Sequence, residues 1–386
     1  MSLLWKDPVL VRHRLVDRAG AEAGYTVRAA CPSGSHDTET LRAVDEEYRH
    51  ADLAALTEGR LLSVQATPAL LAGAVDLLGD IAQPLLEVPS WLLEEPEVDQ
   101  LMAEQKAHGV ALALGDFRGT PAQLGALEMV QTVMVDAEDP DLARIIEARG
   151  DATVIARGPA TRASLERALA AGADMAEAAW VYPDDERHEG QLAAVEAHCL
   201  ELLAMLDRQP AEPAQVADLI STSPELSVAV LRQVNSSAVA LRHRVDSVPH
   251  ATVLAGPRRL RTIAVAALSG ARSDGVDALW AILSRAHAVA ELTGREAGYT
   301  TGLLSGLADV RRFPIDWLTE RAGVSSQVSA ALLARRGQLG SAVGAVAAHE
   351  AGDPAGVATL GMDPWAVSRA WITAVVESRE LLPGLT

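Results

Sequence analysis

The sequence predicts an α/β barrel of TIM-like type followed by an all-α domain. Short apolar strands alternate with short helical stretches through the first half, which is the pattern of parallel βα units. Beyond a charged run near residue 185 every periodic segment has helical spacing. At 386 residues the chain also exceeds what one hydrophobic core organises. Two domains are therefore expected, 1–186 and 191–386.

The elements follow in order. Val9 to Val16 and Gly24 to Ala30 are β-rich segments around Asp17-Arg18-Ala19-Gly20, which reads as a hairpin. Leu61 to Val64 reads as a strand, Pro68 to Leu78 as a helix and Gln83 to Val88 as a second strand. A helix at Glu97 to His108 leads through Gly109 into the buried-strand run Val110 to Leu114. Further strands are expected at Thr132 to Val135, Thr153 to Ala156 and Trp180 to Tyr182, with helices at Pro140 to Arg149 and Ser164 to Ala171. Pro183 to Gly190 is charged, bounded by Pro and Gly and without apolar period, so the domain boundary falls there.

In the second half, Val216, Leu219 and Ile220 form one apolar stripe and Leu226, Val230, Leu231 and Val234 a second. Ser223 ahead of Pro224 is an N-cap residue before a proline at the first helical position, which starts a helix. Asn235, Ser236 and Ser237 end it, and Gly256-Pro257 breaks the chain before the apolar run Ile263 to Leu268.

Composition narrows the function. A net charge of −19 opposes general nucleic-acid binding, which needs Lys and Arg in excess. Cys31 and Cys199 form no C-x-x-C pair, so neither a disulfide framework nor a zinc signature is present. With no apolar run of signal-peptide or membrane-spanning length, a cytoplasmic protein is expected. P-loop and G-x-G-x-x-G spacings are absent. Against the acidic background, Arg242, Arg244, Arg258, Arg259 and Arg261 cluster within twenty residues, opposed there only by Asp246. This is either a solvated face or a patch for an acidic or phosphorylated partner.

Two resemblances give these observations a context. Val230-Leu231-Arg232-Gln233-Val234-Asn235-Ser236, then Ser247-Val248, then Ala251-Thr252-Val253-Leu254-Ala255-Gly256 follow the order of motifs in the HDOD family, with Ala255 inserted ahead of the glycine. HDOD domains are similar in fold to HD phosphohydrolases but typically lack their metal ligands. Where an HD protein carries its His-Asp pair, this chain has Ser305 and Gly306. His287 and His349 lack partner histidines at helical spacing and read as structural residues.

VRHRLVDRAGAEAGYTVRAA resembles the first hairpin of EAL domains, the cyclic di-GMP phosphodiesterases, and later segments resemble EAL strand ends in order over roughly residues 8 to 183. The resemblance implies two metal ions held by carboxylates and an asparagine, which activate a water. On the family's ligand positions stand Thr26 for the name-giving glutamate and Gln65 for the asparagine, while Glu87 is kept. Gly115-Asp116 replaces an aspartate pair, Met134 a lysine, and Arg157 and Ala160 two glutamates. Glu177-Ala178 falls on a glutamine-glycine. Glu87 and Asp116 are thus remnant carboxylates, too few for two divalent cations.

From Gly298 to Arg379 the chain is similar to proteins that join the two domains, the EAL-HDOD or YuxH type. The expectation is a degenerate EAL barrel ahead of an HDOD domain, with no catalytic residues, no metal and no cofactor. It would act through protein partners in cyclic di-GMP-related signalling. The alternatives are a sensor that binds cyclic di-GMP without hydrolysis and a residual phosphodiesterase.

Overall fold

The computed structural model describes residues 5, 7–31, 36–57, 59–74, 79–179, 182, 194–207, 212–236, 245, 247–269, 275–294 and 296–381. They divide into two compact units, 1–185 together with 348–359, and 186–347 together with 360–386.

In the first unit eight strands close a barrel in sequence order. β1 (Val9–Asp17) and β2 (Glu22–Ala30) form the expected hairpin, with Asp17 Oδ1 accepting from the backbone N–H groups of Ala19 and Ala21 at the turn. α1 (Thr38–His50) follows, then β3 (Leu61–Gln65), α2 (Pro68–Leu71), β4 (Gln83–Val88), α3 (Val98–Ala107), β5 (Ala111–Leu114) and α4 (Pro121–Ala126). β6 (Thr132–Asp136), α5 (Leu142–Glu147), β7 (Thr153–Arg157), α6 (Arg162–Ala170) and β8 (Met175–Ala178) complete it.

Strands β2 to β8 run parallel, whereas β1 is antiparallel to both of its neighbours. The N-terminal half of β1 therefore lies at the mouth, beside the C-terminal ends of the other strands. Inside, Leu15, Leu85, Ala113, Met134 and Ile155 form one buried apolar layer, as side-chain alternation along each strand requires. Thr120 and Thr161 start α4 and α6 with capping boxes.

Two expectations need correction. The eighth strand of the closed barrel is Met175–Ala178, a segment the sequence reading did not assign; the strand expected at Trp180 to Tyr182 falls on a stretch in which Trp180 and Val181 lie outside the described residues. Met-Ala-Glu-Ala becomes a strand through its pairing with both β1 and β7, although alanine and glutamate have weak strand propensity. The helix expected at Pro68 to Leu78 ends at Leu71, and Gly73 at φ 68° takes the left-handed turn that halts it; residues 75–78 lie outside the described residues.

The second unit is helical. α7 (Ala194–Asp207), α8 (Pro213–Thr222), α9 (Pro224–Ser236) and α10 (Val248–Ser269) come first, with Gly256 at φ 68° kinking α10 before Pro257. Asn235 is tied to the next segment through both ends of its amide, which donates to the Val245 carbonyl and accepts from its N–H. Then come α11 (Gly275–Thr293), α12 (Glu296–Arg311), α13 (Ile315–Ala322), α14 (Ser326–Ala334), α15 (Gly337–Glu350), α16 (Pro354–Thr359) and α17 (Pro364–Leu381). The last residues of α15 and all of α16 fall in the first unit.

α11 packs on α12 and α17, and the Trp280 indole donates to the Val375 carbonyl at 2.8 Å. Gly298, Gly302 and Gly306 recur every fourth residue along the contact face of α12. A Cβ on Gly302 would sit 2.6 Å from the Arg285 carbonyl oxygen, and one on Gly306 3.1 Å from Ile282 Cα. At Gly302 only glycine permits this approach, while at Gly306 a methyl group would require Ile282 to yield by a few tenths of an ångström.

Candidate functional site

At the mouth of the barrel the structure gathers a buried charge cluster. Glu87, next to last in β4 toward the mouth, is 2% exposed, and Arg157 at the end of β7 donates to its Oε1 from Nη1 at 2.5 Å. The same nitrogen lies 3.6 Å from Asp116 Oδ1, whose side chain is half exposed. Gly115 makes the pairing possible, because a Cβ there would lie 2.5 Å from Glu87 Oε1. The Glu87 carboxylate thus fills the room that a side chain at 115 would need. Asp116 follows in the left-handed region at φ 47°, and Gln123 fixes its loop by donating to the Asp116 carbonyl.

A second carboxylate, Glu177 on β8, is as deeply placed. Its Oε1 accepts from the Thr26 hydroxyl and from Arg28 Nη2, both at 2.8 Å, and its Oε2 accepts from the Gly158 N–H at 3.0 Å. Burial works to raise this carboxyl, but Arg28, then His13, Arg157 and the Thr26 hydroxyl outweigh it and hold it at about 2. At Glu87 the balance is opposite: burial pushes the carboxyl up further than Arg157 and Arg28 hold it down. His13, on β1, is pushed below the ordinary histidine range by burial and faces Glu177, Arg28 and Arg157.

The remaining candidates are dispersed around this cluster. Gln65 ends β3 opposite Glu87, with its carbonyl accepting from the Tyr48 hydroxyl. Met134 lies deeper, in the apolar layer. The Ala160 N–H donates to Glu138. Sequence reading left out Arg28 and His13 and gave Glu177 no charge to hold. Arg28 stands two residues after Thr26 on one strand, so both address the same face; that period is the signal that could have found it.

The donor set does not fit a pair of divalent cations. Such ions need several oxygen ligands each. Here Glu87 and Glu177 already bind guanidinium groups, and Thr26 spends its hydroxyl on Glu177. Among the described residues no group of three or more His, Cys, Asp or Glu is placed to hold a metal ion.

In the helical unit, Ser305 is buried and accepts from Arg285 Nη1 at 3.1 Å, and the same nitrogen pairs with Asp309 at 2.5 Å. Gly306 packs closely on α11, where a Cβ would lie 3.1 Å from Ile282 Cα. His287 is buried, edge-on to Tyr299, with Nδ1 3.6 Å from Glu377, and burial followed by Arg258 lowers it to about 4. The arginine patch needs correction: Arg258 and Arg259 are exposed, but Arg261 is 2% exposed and donates to the Leu206 carbonyl. Arg242 and Arg244 lie outside the described residues. No helix among the described residues is long and apolar enough to cross a membrane.

Residues 192–310 match the HDOD domain family. A comparison with curated proteins found no match. Among solved structures, the chain is similar to Klebsiella pneumoniae BlrP1 in a calcium and cyclic di-GMP complex, at 18% identity over 46% of this chain and 55% of that one, TM-score 0.35. The EAL enzyme Bd1971 with cAMP and cyclic di-GMP bound matches at 14% identity over 45% and 60%, TM-score 0.38. The FimX EAL domain from Pseudomonas aeruginosa bound to cyclic di-GMP matches at 14% over 44% and 88%, TM-score 0.35. The chain thus spans less than two thirds of the first two.

Proposed function

We propose that this chain, which carries an HDOD domain at residues 192–310 behind a closed eight-stranded barrel, is a non-catalytic signalling protein of the EAL-HDOD type. The observation that carries the reading is the Arg157–Glu87 pair packed into the space left by Gly115. A guanidinium stands against the carboxylate that a metal-dependent phosphodiesterase would need free. It supplies one fixed positive charge and five N–H donors, but it can neither exchange ligands nor acidify a bound water. Arg28 ties up Glu177 in the same way. In the second unit Arg285 is likewise bonded to Asp309 and to Ser305, the residue that the resemblance sets against the histidine of an HD pair.

Function then rests on protein contacts, in a signalling context related to cyclic di-GMP. The exposed Arg258 and Arg259, past the α10 kink in an acidic chain, are the first surface to test for an acidic partner. Purified protein supplied with Mg²⁺ or Mn²⁺ should leave cyclic di-GMP intact. Linear pGpG that appears with the wild type and vanishes with Glu87→Ala overturns the reading. Reversing Arg258 and Arg259 to Glu should release a partner captured from the native host, and capture that survives the reversal removes the patch from consideration.

A further inference from the structure

The first unit contains a piece of chain far from the barrel in sequence, Ala348–Thr359. Its local structure is fixed by His349-Glu350-Ala351-Gly352-Asp353-Pro354. α15 ends in a Schellman turn: the Gly352 N–H donates to the His349 carbonyl and the Asp353 N–H to the Ala348 carbonyl, both at 2.9 Å. Gly352 takes the left-handed conformation this needs, at φ 72°. Asp353 then starts α16, with its Oδ1 accepting from the Gly356 N–H at 2.8 Å. A helix stop and a helix start thus share one tight corner.

That corner is seated on β1. A Cβ on Gly352 would lie 3.0 Å from His13 Cε1 and 3.6 Å from Val11 Cγ1, so the bare glycine backbone rests on both side chains. Val11 and His13 occupy the same face of β1 as Leu15, which belongs to the apolar layer inside the barrel. They stand above Leu15 on the mouth side, because β1 runs opposite to its neighbours. His13 in turn faces Glu177, Arg28 and Arg157. His349 is 2% exposed and close enough to His13 for the one to feel the other's charge.

We infer that the barrel mouth is an interaction surface for this chain's own segment Ala348–Thr359, and that the corner at Gly352 is its resident occupant. A ligand directed at the Glu87 and Glu177 cluster from the β1 side meets that corner first and has to displace it. The inference stands apart from the question of catalysis, since a barrel with or without activity could be covered in this way.

Disulfide trapping in the full chain tests it, in a Cys31→Ser, Cys199→Ser background. Val11→Cys with Gly352→Cys places the two sulfurs within bonding reach. Arg12→Cys with Gly352→Cys is the control, because Arg12 points to the other face, where it donates to the Leu56 carbonyl. Mild oxidation should link the first pair at least about tenfold faster than the control, and equal rates, or no link in either, overturn the inference. Since a cysteine at a left-handed position can impair folding, a second measurement keeps glycine in place. In histidine-labelled protein, His349→Ala should move the ring resonances of His13, assigned with His13→Gln. Unmoved His13 resonances overturn the inference independently.

Discussion

Replacing Arg157 with Met removes the bonded counter-charge of a carboxylate that is 2% exposed and leaves Arg28 as the remaining cation acting on it. Breaking a buried pair from one side typically costs about 3–5 kcal/mol, because the surviving charge stays desolvated. At about 2–4 °C per kcal/mol for a unit of this size, the melting midpoint should fall by roughly 6–20 °C. The contact to Asp116 adds little, since at 3.6 Å it reaches a half-exposed carboxylate. Glu87→Met should cost less, because Arg157 is 18% exposed and keeps Asp116 nearby. The double variant Glu87→Met, Arg157→Met replaces both charges by apolar volume and should recover most of the loss, for a coupling energy of about 2–4 kcal/mol. Thermal and urea unfolding of the four proteins close the cycle. If the two single effects add within about 0.5 kcal/mol, the groups are independent and the guanidinium is not what neutralises Glu87. The argument that it takes a metal's place then fails.

Three further outcomes follow from other parts of the structure. Glu177 is held at about 2, below its ordinary range, so its contribution is complete above that range and is lost as pH falls toward 2. Glu177→Gln should remove about 3 kcal/mol of stability at neutral pH and flatten the acid limb of a stability–pH curve; an unchanged limb contradicts the assignment. His287 is held neutral down to about 4, so it contributes above the ordinary histidine range and that contribution disappears as pH drops toward 4; in His287→Gln the decline between about pH 6.5 and 4 should shrink, as urea midpoints would register. Gly302→Ala drives a methyl group against the Arg285 carbonyl and Ala286 Cα and should cost about 1–3 kcal/mol, whereas Gly125→Ala, with open space around it, should cost nothing; equal melting points for the two variants refute the close α11–α12 contact.

Much of the barrel could be read from the sequence because its strands are short apolar runs that periodicity and turn residues delimit well. The β1–β2 hairpin and the run at Ala111–Leu114 are examples. Met175–Ala178 could not be read this way, since nothing local marks Met-Ala-Glu-Ala as a strand and its place comes from pairing with two neighbours. The candidate site was legible by position but not by partner. Thr26, Glu87, Gly115 and Arg157 can be picked out along the sequence at or beside strand ends, yet only the folded chain brings Arg157 to Glu87 across 70 residues and Arg28 to Glu177 across 149. His13 escaped for a related reason: it precedes the end of its strand, where a search of C-terminal strand ends does not look. Arg261 illustrates the opposite error, because a cluster of like charges in sequence says nothing about which member turns inward to meet the Leu206 carbonyl.

The reversed first strand also bears on how the protein can be handled. In a barrel whose strands are all parallel, the first strand enters from the face opposite the loops that carry chemistry, and an appended sequence stays clear of them. Here polypeptide joined ahead of Val9 enters on the rim itself, on the strand that carries Val11 and His13. A purification handle or fluorescent fusion placed there would crowd the surface under study, so binding work calls for protein without such an appendage.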